Sequence, residues 1–118
     1  MSKFIARFSH PIRGIMYALR HDRSFQSQFY GGILFLFFMW IVFSPLAAWE
    51  WLFIILCWTL ILITELQNTA LEEALDKIHP ELHENIGRSK DMIAGAVLLA
   101  GAYTLTTVVV FSLVRLLA

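Results

Sequence analysis

The stretch WTLILITELQNTALEEALDKIHPE, residues 58–81, begins as a hydrophobic helix and becomes acidic without a turn signal. Glu65 closely follows the apolar residues, and Asn68, Glu72 and Asp76 come after it at spacings of three, four and four. At 3.6 residues per turn and 1.5 Å per residue, these side chains share one helical face over about 16 Å. A carboxylate at membrane depth is costly and usually functional. We therefore take these four residues, the polar ladder, as the candidate site.

The rest of the chain has the composition of a membrane protein. Of its 118 residues, 58% are hydrophobic, and no charged side chain occurs in residues 24–49 or 92–114. Because a helix needs about 20 apolar residues to cross a bilayer, the sequence predicts an all-α membrane protein of one domain, residues 1–118. Transmembrane helices are expected at residues 28–46, 49–70 and 92–116, the second with a cytoplasmic extension to residue 78.

The basic residues predict how these spans are oriented. The connection at residues 44–51 has no Lys or Arg, whereas eight basic residues lie before the first span or between the second and third: Lys3, Arg7, Arg13, Arg20, Arg23, Lys77, Arg88 and Lys90. Cytoplasmic segments carry the excess of Lys and Arg. We therefore expect the N-terminus and residues 71–91 in the cytoplasm, and the C-terminus outside. Arg115 is an isolated exception.

Residues 1–27 predict an amphipathic segment at the membrane surface. Apolar residues recur there at spacings of three and four, which places them on one helical face: Phe4, Phe8, Ile12, Ile15 and Leu19. A basic amphipathic helix of this kind lies in the cytoplasmic interface. Ser9 and Pro11 leave open a second interpretation, two shorter helices with Ser9 as a cap. A third is an unstructured basic tether.

Charge, cysteine content and motifs argue against other classes of protein. The formal net charge is zero, which argues against a nucleic-acid partner. Cys57 is the single cysteine, so a disulfide framework is excluded, and we interpret it as a packing residue. No Walker A sequence, Gly-rich kinase loop or HRD motif occurs. The nucleotide-binding machinery of soluble kinases and ATPases is therefore missing.

The polar ladder fits a reaction between a lipid headgroup and a water-soluble reagent, because one end lies near the hydrocarbon and the other reaches water. A desolvated carboxylate at Glu65 can accept a proton from an alcohol near neutral pH. Glu72 is placed to hold a hard cation such as Mg²⁺. In the alternative interpretation, Glu72, Glu73 and Asp76 are a solvated acidic helix end.

The connection to the third span carries further candidates. His79-Pro80 predicts the end of a helix, and Gly87 predicts a turn before the next one. Lys90 then lies at the cytoplasmic rim, where its ammonium either meets a phosphate or extends to water as a boundary marker. His79 and His83 have a metal-binding spacing, but Pro80 and the lack of a third ligand argue against zinc.

Small residues form one region of the third span: Ala94, Gly95, Ala96, Ala100, Gly101 and Ala102. They let helix backbones approach closely within a membrane. Three spans enclose little space on their own. We therefore expect the chain to oligomerise.

Two motifs resemble a known family. ELQNTALEEALD (residues 65–76) followed by GRSKDM (87–92) resembles the signature of the small prokaryotic diacylglycerol kinases, Glu-x-x-Asn-Ser/Thr-Ala-x-Glu-x-x-x-Asp. RGIMYALRHDRSFQSQF (13–29) resembles the N-terminal block of that family. The resemblance implies a homotrimeric helical bundle, with active sites shared between subunits, that moves the γ-phosphoryl of MgATP onto a membrane lipid hydroxyl.

The same resemblance implies roles for individual residues. Glu65 would be the general base, and Asn68 would lie beside the reacting groups. Asp22 and Glu72 would bind the metal ions that bridge the ATP phosphates. The nucleotide would also contact a further set: Lys3, His10, Glu81, Leu82, His83, Lys90 and Asp91.

Departures from the family pattern leave the acceptor lipid open between diacylglycerol and undecaprenol. Gln67, Leu75, Leu82 and Ala94 differ from the usual residues, and Asp22 is one methylene shorter than the usual glutamate. GIMYALRHDRSF and AGAVLLA are closer to the undecaprenol branch, whereas GRSKDM fits the diacylglycerol branch. Two other classes stay as alternatives: a channel or proton-coupled transporter lined by Glu65, and a non-catalytic membrane assembly protein.

Overall fold

The computed structural model describes residues 3–78 and 84–118, which form four helices. They are α1 (Lys3–His21), α2 (Arg23–Phe43), α3 (Ala48–Ile78) and α4 (Glu84–Leu117). Helices α2, α3 and α4 are each long and apolar enough to cross a membrane. The prediction of an all-α protein with three candidate spans is confirmed.

Helix α1 runs without interruption through Pro11, so the interpretation as two shorter helices is wrong. Ser9 does not cap a new helix; its hydroxyl donates to the carbonyl oxygen of Ala6 at 2.7 Å. Pro11 removes only one backbone donor, a loss that the helix tolerates here. Most apolar residues of α1 are exposed, among them Phe4 and Ile12, whereas Ala18 is buried and Leu19 half-buried. Their place at a membrane surface stays a prediction.

Helices α2 and α3 cross where Gly32 lies against the side chain of Trp58. A Cβ added to Gly32 would lie 2.1 Å from the indole of Trp58. The ring of Trp58 is held there because its Nε1 donates to the carbonyl oxygen of Gln28 at 3.2 Å, and Phe29 packs on it with ring centroids 5.5 Å apart. Trp58 is therefore a packing residue, and the missing side chain at Gly32 allows the close crossing.

A small core joins the three long helices at the end where α2 stops and α3 starts. Met39, Ile54 and Phe111, one from each helix, are buried against each other. Cys57 is buried nearby as an unpaired thiol, as its interpretation as a packing residue required. The buried side chains thus lie along the contacts between helices.

A partly buried ion pair closes the same end of the bundle. The Nε of Arg115 donates to Glu50 Oε2 at 2.8 Å, while the guanidinium also donates to the carbonyl oxygens of Phe43 and Pro45 at 3.1 and 2.9 Å. The backbone N–H of Ala47 donates to Glu50 Oε1 at 2.9 Å. Arg115 is therefore not an isolated charge, since it fastens α4 to α3 and to the connection between α2 and α3.

Helix α4 includes Gly87, so the predicted turn at this residue is wrong. Glycine costs about 1 kcal/mol in a helix interior, and the 34-residue helix absorbs that cost. Glu84 in the first turn also complements the helix dipole. Of the small residues on α4, Ala100 is buried, whereas Gly101 and Ala102 are exposed. Much of this region is therefore free to meet another chain.

Candidate functional site

The polar ladder occupies the α3 segment that lies farthest from the Glu50–Arg115 pair. Exposure increases along it: Glu65 is 5% exposed, Asn68 and Glu72 are half-buried, and Asp76 is exposed. Glu65 therefore points into the protein and not into surrounding lipid. Burial therefore decreases along the ladder, from the buried carboxylate of Glu65 to the exposed one of Asp76.

Asn68 carries an unmet hydrogen-bonding requirement. Its Oδ1 is buried and has no hydrogen-bond partner among the described residues. A buried acceptor without a partner costs about 1–3 kcal/mol, so such atoms are rare in folded proteins. The position of Asn68, one turn from Glu65, makes this oxygen available to a donor from outside the described chain.

Asp22 is the single residue between α1 and α2, and it lies against α3. Its Oδ1 accepts the backbone N–H of Ser24 at 3.1 Å, which makes it the N-cap of α2. Its Oδ2 accepts the hydroxyl of Thr69 at 2.5 Å. Thr69 follows Asn68 directly in sequence, so the predicted metal ligand Asp22 lies beside the polar ladder.

Lys90 joins α4 to the solvent end of the ladder. Its Nζ lies 2.5 Å from Oδ1 of Asp76, and the carboxylate of Glu72 adds to the attraction on the ammonium. Both members of the pair are partly exposed, with side-chain exposures of 37% and 64%. Lys90 is therefore within reach of a phosphate at the place where the ladder meets water. Asp91, the next residue, is exposed.

The remaining predicted nucleotide contacts are not part of this arrangement. Lys3 and His10 are exposed on α1. Lys3 lies about 28 Å along the helix axis from Asp22, at 1.5 Å per residue. The stretch Glu81, Leu82 and His83 lies outside the described residues. One chain therefore brings together Asp22 and the ladder, with Lys90 at its lower end, but not Lys3.

A cleft of about 680 Å³ lies between α1 and α3. Tyr17, His21 and Asp22 line one side, and Leu66 and Ala70 line the other. The cleft contains Asp22 and Thr69 but not Glu65, Asn68 or Glu72. It therefore borders the ladder without including it.

The carboxylates of Asp22 and Glu72 fit a magnesium site only if waters or substrate phosphates supply the remaining oxygen ligands. No group of three or more His, Cys, Asp or Glu side chains that could hold a metal ion occurs within residues 3–78 and 84–118. Mg²⁺ prefers oxygen ligands, and it is usually bound by one or two carboxylates together with waters and substrate phosphates. Asp22 and Glu72 are oxygen donors of this kind; Asp22 is bonded to Thr69, and Glu72 follows Thr69 by three residues on α3.

Sequence reasoning missed Thr69 and the Glu50–Arg115 pair. A signal for Thr69 was available, since the Ser/Thr position of the signature falls between Asn68 and Glu72. The ion pair had a weaker signal, an acid near the start of one span and a base near the end of the next. In an antiparallel pair of helices, these two positions lie at the same end.

A family model and individual relatives point to the same family of proteins. Residues 9–113 match the sequence model for prokaryotic diacylglycerol kinase. The chain is 49% identical over 41 residues to the diacylglycerol kinase of Escherichia coli (strain K12), which covers 35% of this chain and 34% of that protein. It is 33% identical over 97 residues to the undecaprenol kinase of Bacillus subtilis (strain 168), which covers 82% of this chain and 77% of that protein. The aligned part thus spans about a third of the Escherichia coli protein.

Proposed function

This chain belongs to the prokaryotic diacylglycerol kinase family, and we propose from that membership that it is an integral-membrane lipid kinase. It transfers the γ-phosphoryl of MgATP to the hydroxyl of a membrane lipid. The observation that carries this proposal is the buried carboxylate of Glu65 on a helix that leads from apolar surroundings to water. One turn away lies the buried Oδ1 of Asn68, which has no partner among the described residues.

The chemistry follows from the positions of these side chains. Glu65 accepts the proton of the lipid alcohol as the alcohol oxygen forms a bond to the γ-phosphorus. The bond between that phosphorus and the β–γ bridging oxygen breaks, and ADP leaves. Little covalent chemistry is required of the protein in such a transfer, so alignment and charge stabilisation dominate.

The other residues bind and orient the two substrates. Asn68 would lie beside the reacting groups, one turn from Glu65. Asp22 and Glu72 would hold Mg²⁺, which neutralises charge on the phosphate oxygens when bound. Lys90 exchanges its bond to Asp76 for a phosphate oxygen, and Asp91 lies beside it. His10 and residues 81–83 complete the proposed nucleotide contacts.

Diacylglycerol is the acceptor that we propose, with phosphatidic acid as the product. The 49% identity to a diacylglycerol kinase over 41 residues supports it. Undecaprenol is the second candidate, because the match to an undecaprenol kinase extends over 82% of this chain.

We further propose a homotrimer in the bacterial inner membrane, with its sites shared between subunits. The exposed small residues of α4 support close contact with a second chain. The distance of Lys3 from Asp22 supports a role for Lys3 in a neighbouring subunit's site. In this arrangement α1 lies in the cytoplasmic interface, residues 71–91 face the cytoplasm, and the C-terminus lies outside.

One assay tests the function and the acceptor together. The full chain in lipid bilayers receives radiolabelled MgATP with diacylglycerol, with undecaprenol or with neither, and the labelled lipid is identified. We expect transfer that Glu65→Gln abolishes and that Glu73→Gln, an exposed acid on the same helix, leaves intact. Full activity of Glu65→Gln would exclude it as the base, and no labelled lipid from the wild-type chain would refute the kinase proposal.

A further inference from the structure

The hydroxyl of Thr69 has a different kind of hydrogen-bond partner from four other helical threonines in this protein. Four other helical threonines donate to the carbonyl oxygen four residues earlier: Thr59, Thr64, Thr104 and Thr106. This local bond is open to any threonine within a helix. Thr69 instead donates to Asp22, 47 residues away in sequence, at 2.5 Å. Its hydroxyl therefore joins α3 to Asp22, the residue between α1 and α2.

The contact fixes the direction of a carboxylate that already has one donor. The N–H of Ser24 holds Oδ1 of Asp22 at 3.1 Å, and the hydroxyl of Thr69 holds Oδ2. Two donors at two different oxygens determine how the carboxylate plane is turned. A carboxylate has about four acceptor sites, so each oxygen of Asp22 keeps capacity for another ligand.

Thr69 bonds one of the two acids proposed for the metal and lies on the same helix as the other. It bonds Asp22 directly, and Glu72 lies one turn further along the same helix. Hydrogen bonds to a ligating carboxylate set its orientation, and their removal typically lowers metal affinity or activity about 10- to 100-fold. Serine at this position keeps the hydroxyl, whereas valine keeps the shape and loses it.

We propose that Thr69 is a positioning residue, whose hydroxyl orients the carboxylate of Asp22 toward the cation that accompanies the nucleotide. This rests on the proposed kinase function for the identity of the reaction. The hydrogen bond itself and the metal-binding role of Asp22 are testable without turnover. Thr69 acts through Asp22 and does not touch the reacting atoms.

The experiment compares Thr69→Val with Thr69→Ser in the full chain in lipid. Binding of Mn²⁺ is measured by electron paramagnetic resonance in the presence of a non-hydrolysable ATP analogue, and thermal unfolding is followed in parallel. We expect Thr69→Val to weaken Mn²⁺ binding about 10-fold or more and to raise the Mg²⁺ concentration for half-maximal transfer similarly. Thr69→Ser should resemble the wild type in both.

A second pair of variants assigns the effect to Asp22. Asp22→Asn keeps a capping side chain but loses the charge, so it should weaken Mn²⁺ binding, and Thr69→Val added to it should cause no further loss. Equal Mn²⁺ binding by Thr69→Val and Thr69→Ser would overturn the proposal, and so would the absence of Mn²⁺ binding by the wild-type chain. If the wild type binds Mn²⁺ but phosphorylates no lipid, the proposed function fails while the comparison of Thr69 variants still decides this inference.

Discussion

The guanidinium of Arg115, which is half-buried, pairs with the buried carboxylate of Glu50, with Nε 2.8 Å from Oε2. They are 65 residues apart in sequence and lie at the end of the bundle opposite the polar ladder. Further bonds from Arg115 to the carbonyl oxygens of Phe43 and Pro45 extend the contact to the connection between α2 and α3. The side chain of Arg115 therefore holds together α3, α4 and the connection between α2 and α3.

Loss of either partner should destabilise the bundle, since it leaves a buried group without its counter-charge. We expect Arg115→Met and Glu50→Gln each to lower Tm by about 5 °C or more in detergent micelles. The double variant should recover part of the loss because no unpaired charge is left. Arg7→Met, at an exposed site on α1, is the control, and equal Tm values in all four variants would show that the pair contributes nothing.

The crossing of α2 and α3 should not accept a methyl group at residue 32. Gly32→Ala would place Cβ against the indole of Trp58, and such overpacking typically costs about 1–3 kcal/mol. Gly31→Ala is a matched control, because nothing lies within 4 Å of its added Cβ. Unfolding in denaturant should show a loss for Gly32→Ala only, relieved by Trp58→Leu. If both alanine variants unfold alike, the close crossing is not important for stability.

Two variants should separate the N-capping role of Asp22 from its proposed role in metal binding. Asp22→Asn keeps the N-cap but loses the charge, so we expect near wild-type Tm and a raised Mg²⁺ requirement. Asp22→Glu keeps the charge but is a poor N-cap, and loss of a cap costs about 0.5–2 kcal/mol. It should therefore retain activity with a lower Tm. A Mg²⁺ titration and a melting curve of each variant distinguish these outcomes; an unchanged Mg²⁺ requirement in Asp22→Asn would remove Asp22 from the metal site.

Lys90 should matter for nucleotide binding and little for folding. Its ion pair with Asp76 is partly exposed, and such pairs contribute little to stability. We expect Lys90→Met to raise the KM for ATP at least 10-fold with unchanged Tm, while Lys77→Met changes neither. Asp76→Asn provides the contrast, since it breaks the same pair yet leaves the ammonium in place. If Lys90→Met and Asp76→Asn have identical kinetics, Lys90 has no role beyond the pair.

The sequence predicted the features that depend on local periodicity. Hydropathy located the three long helices, and the spacing of Glu65, Asn68 and Glu72 located their shared face. Two local signals misled because a long helix tolerated them: Pro11 and Gly87 both lie inside continuous helices. Propensity at one residue is a weak guide when the rest of a helix favours continuation.

Contacts between distant residues could not be read from spacing. The bond from Thr69 to Asp22 requires the α1–α2 corner to lie on α3, and the Glu50–Arg115 pair requires α3 and α4 to be antiparallel and in register. Neither condition follows from hydropathy or from a helical period. The roles of Lys3 and of residues 81–83 stay predictions, since one chain does not bring Lys3 to the ladder and the second stretch lies outside the described residues.

Helix α3 is one unbroken rod of 31 residues, which spans about 46 Å against a hydrocarbon thickness of about 30 Å. Glu65 lies about 22 Å along it from Glu50, where the rod is fastened to α4. The apolar part of the rod, residues 48–65, covers only about 26 Å, and a stretch shorter than the hydrocarbon is accommodated by local thinning of the bilayer. The acyl-chain length of the host lipids would then change how deeply Glu65 lies and, in the proposed reaction, how far this carboxylate is from the lipid hydroxyl.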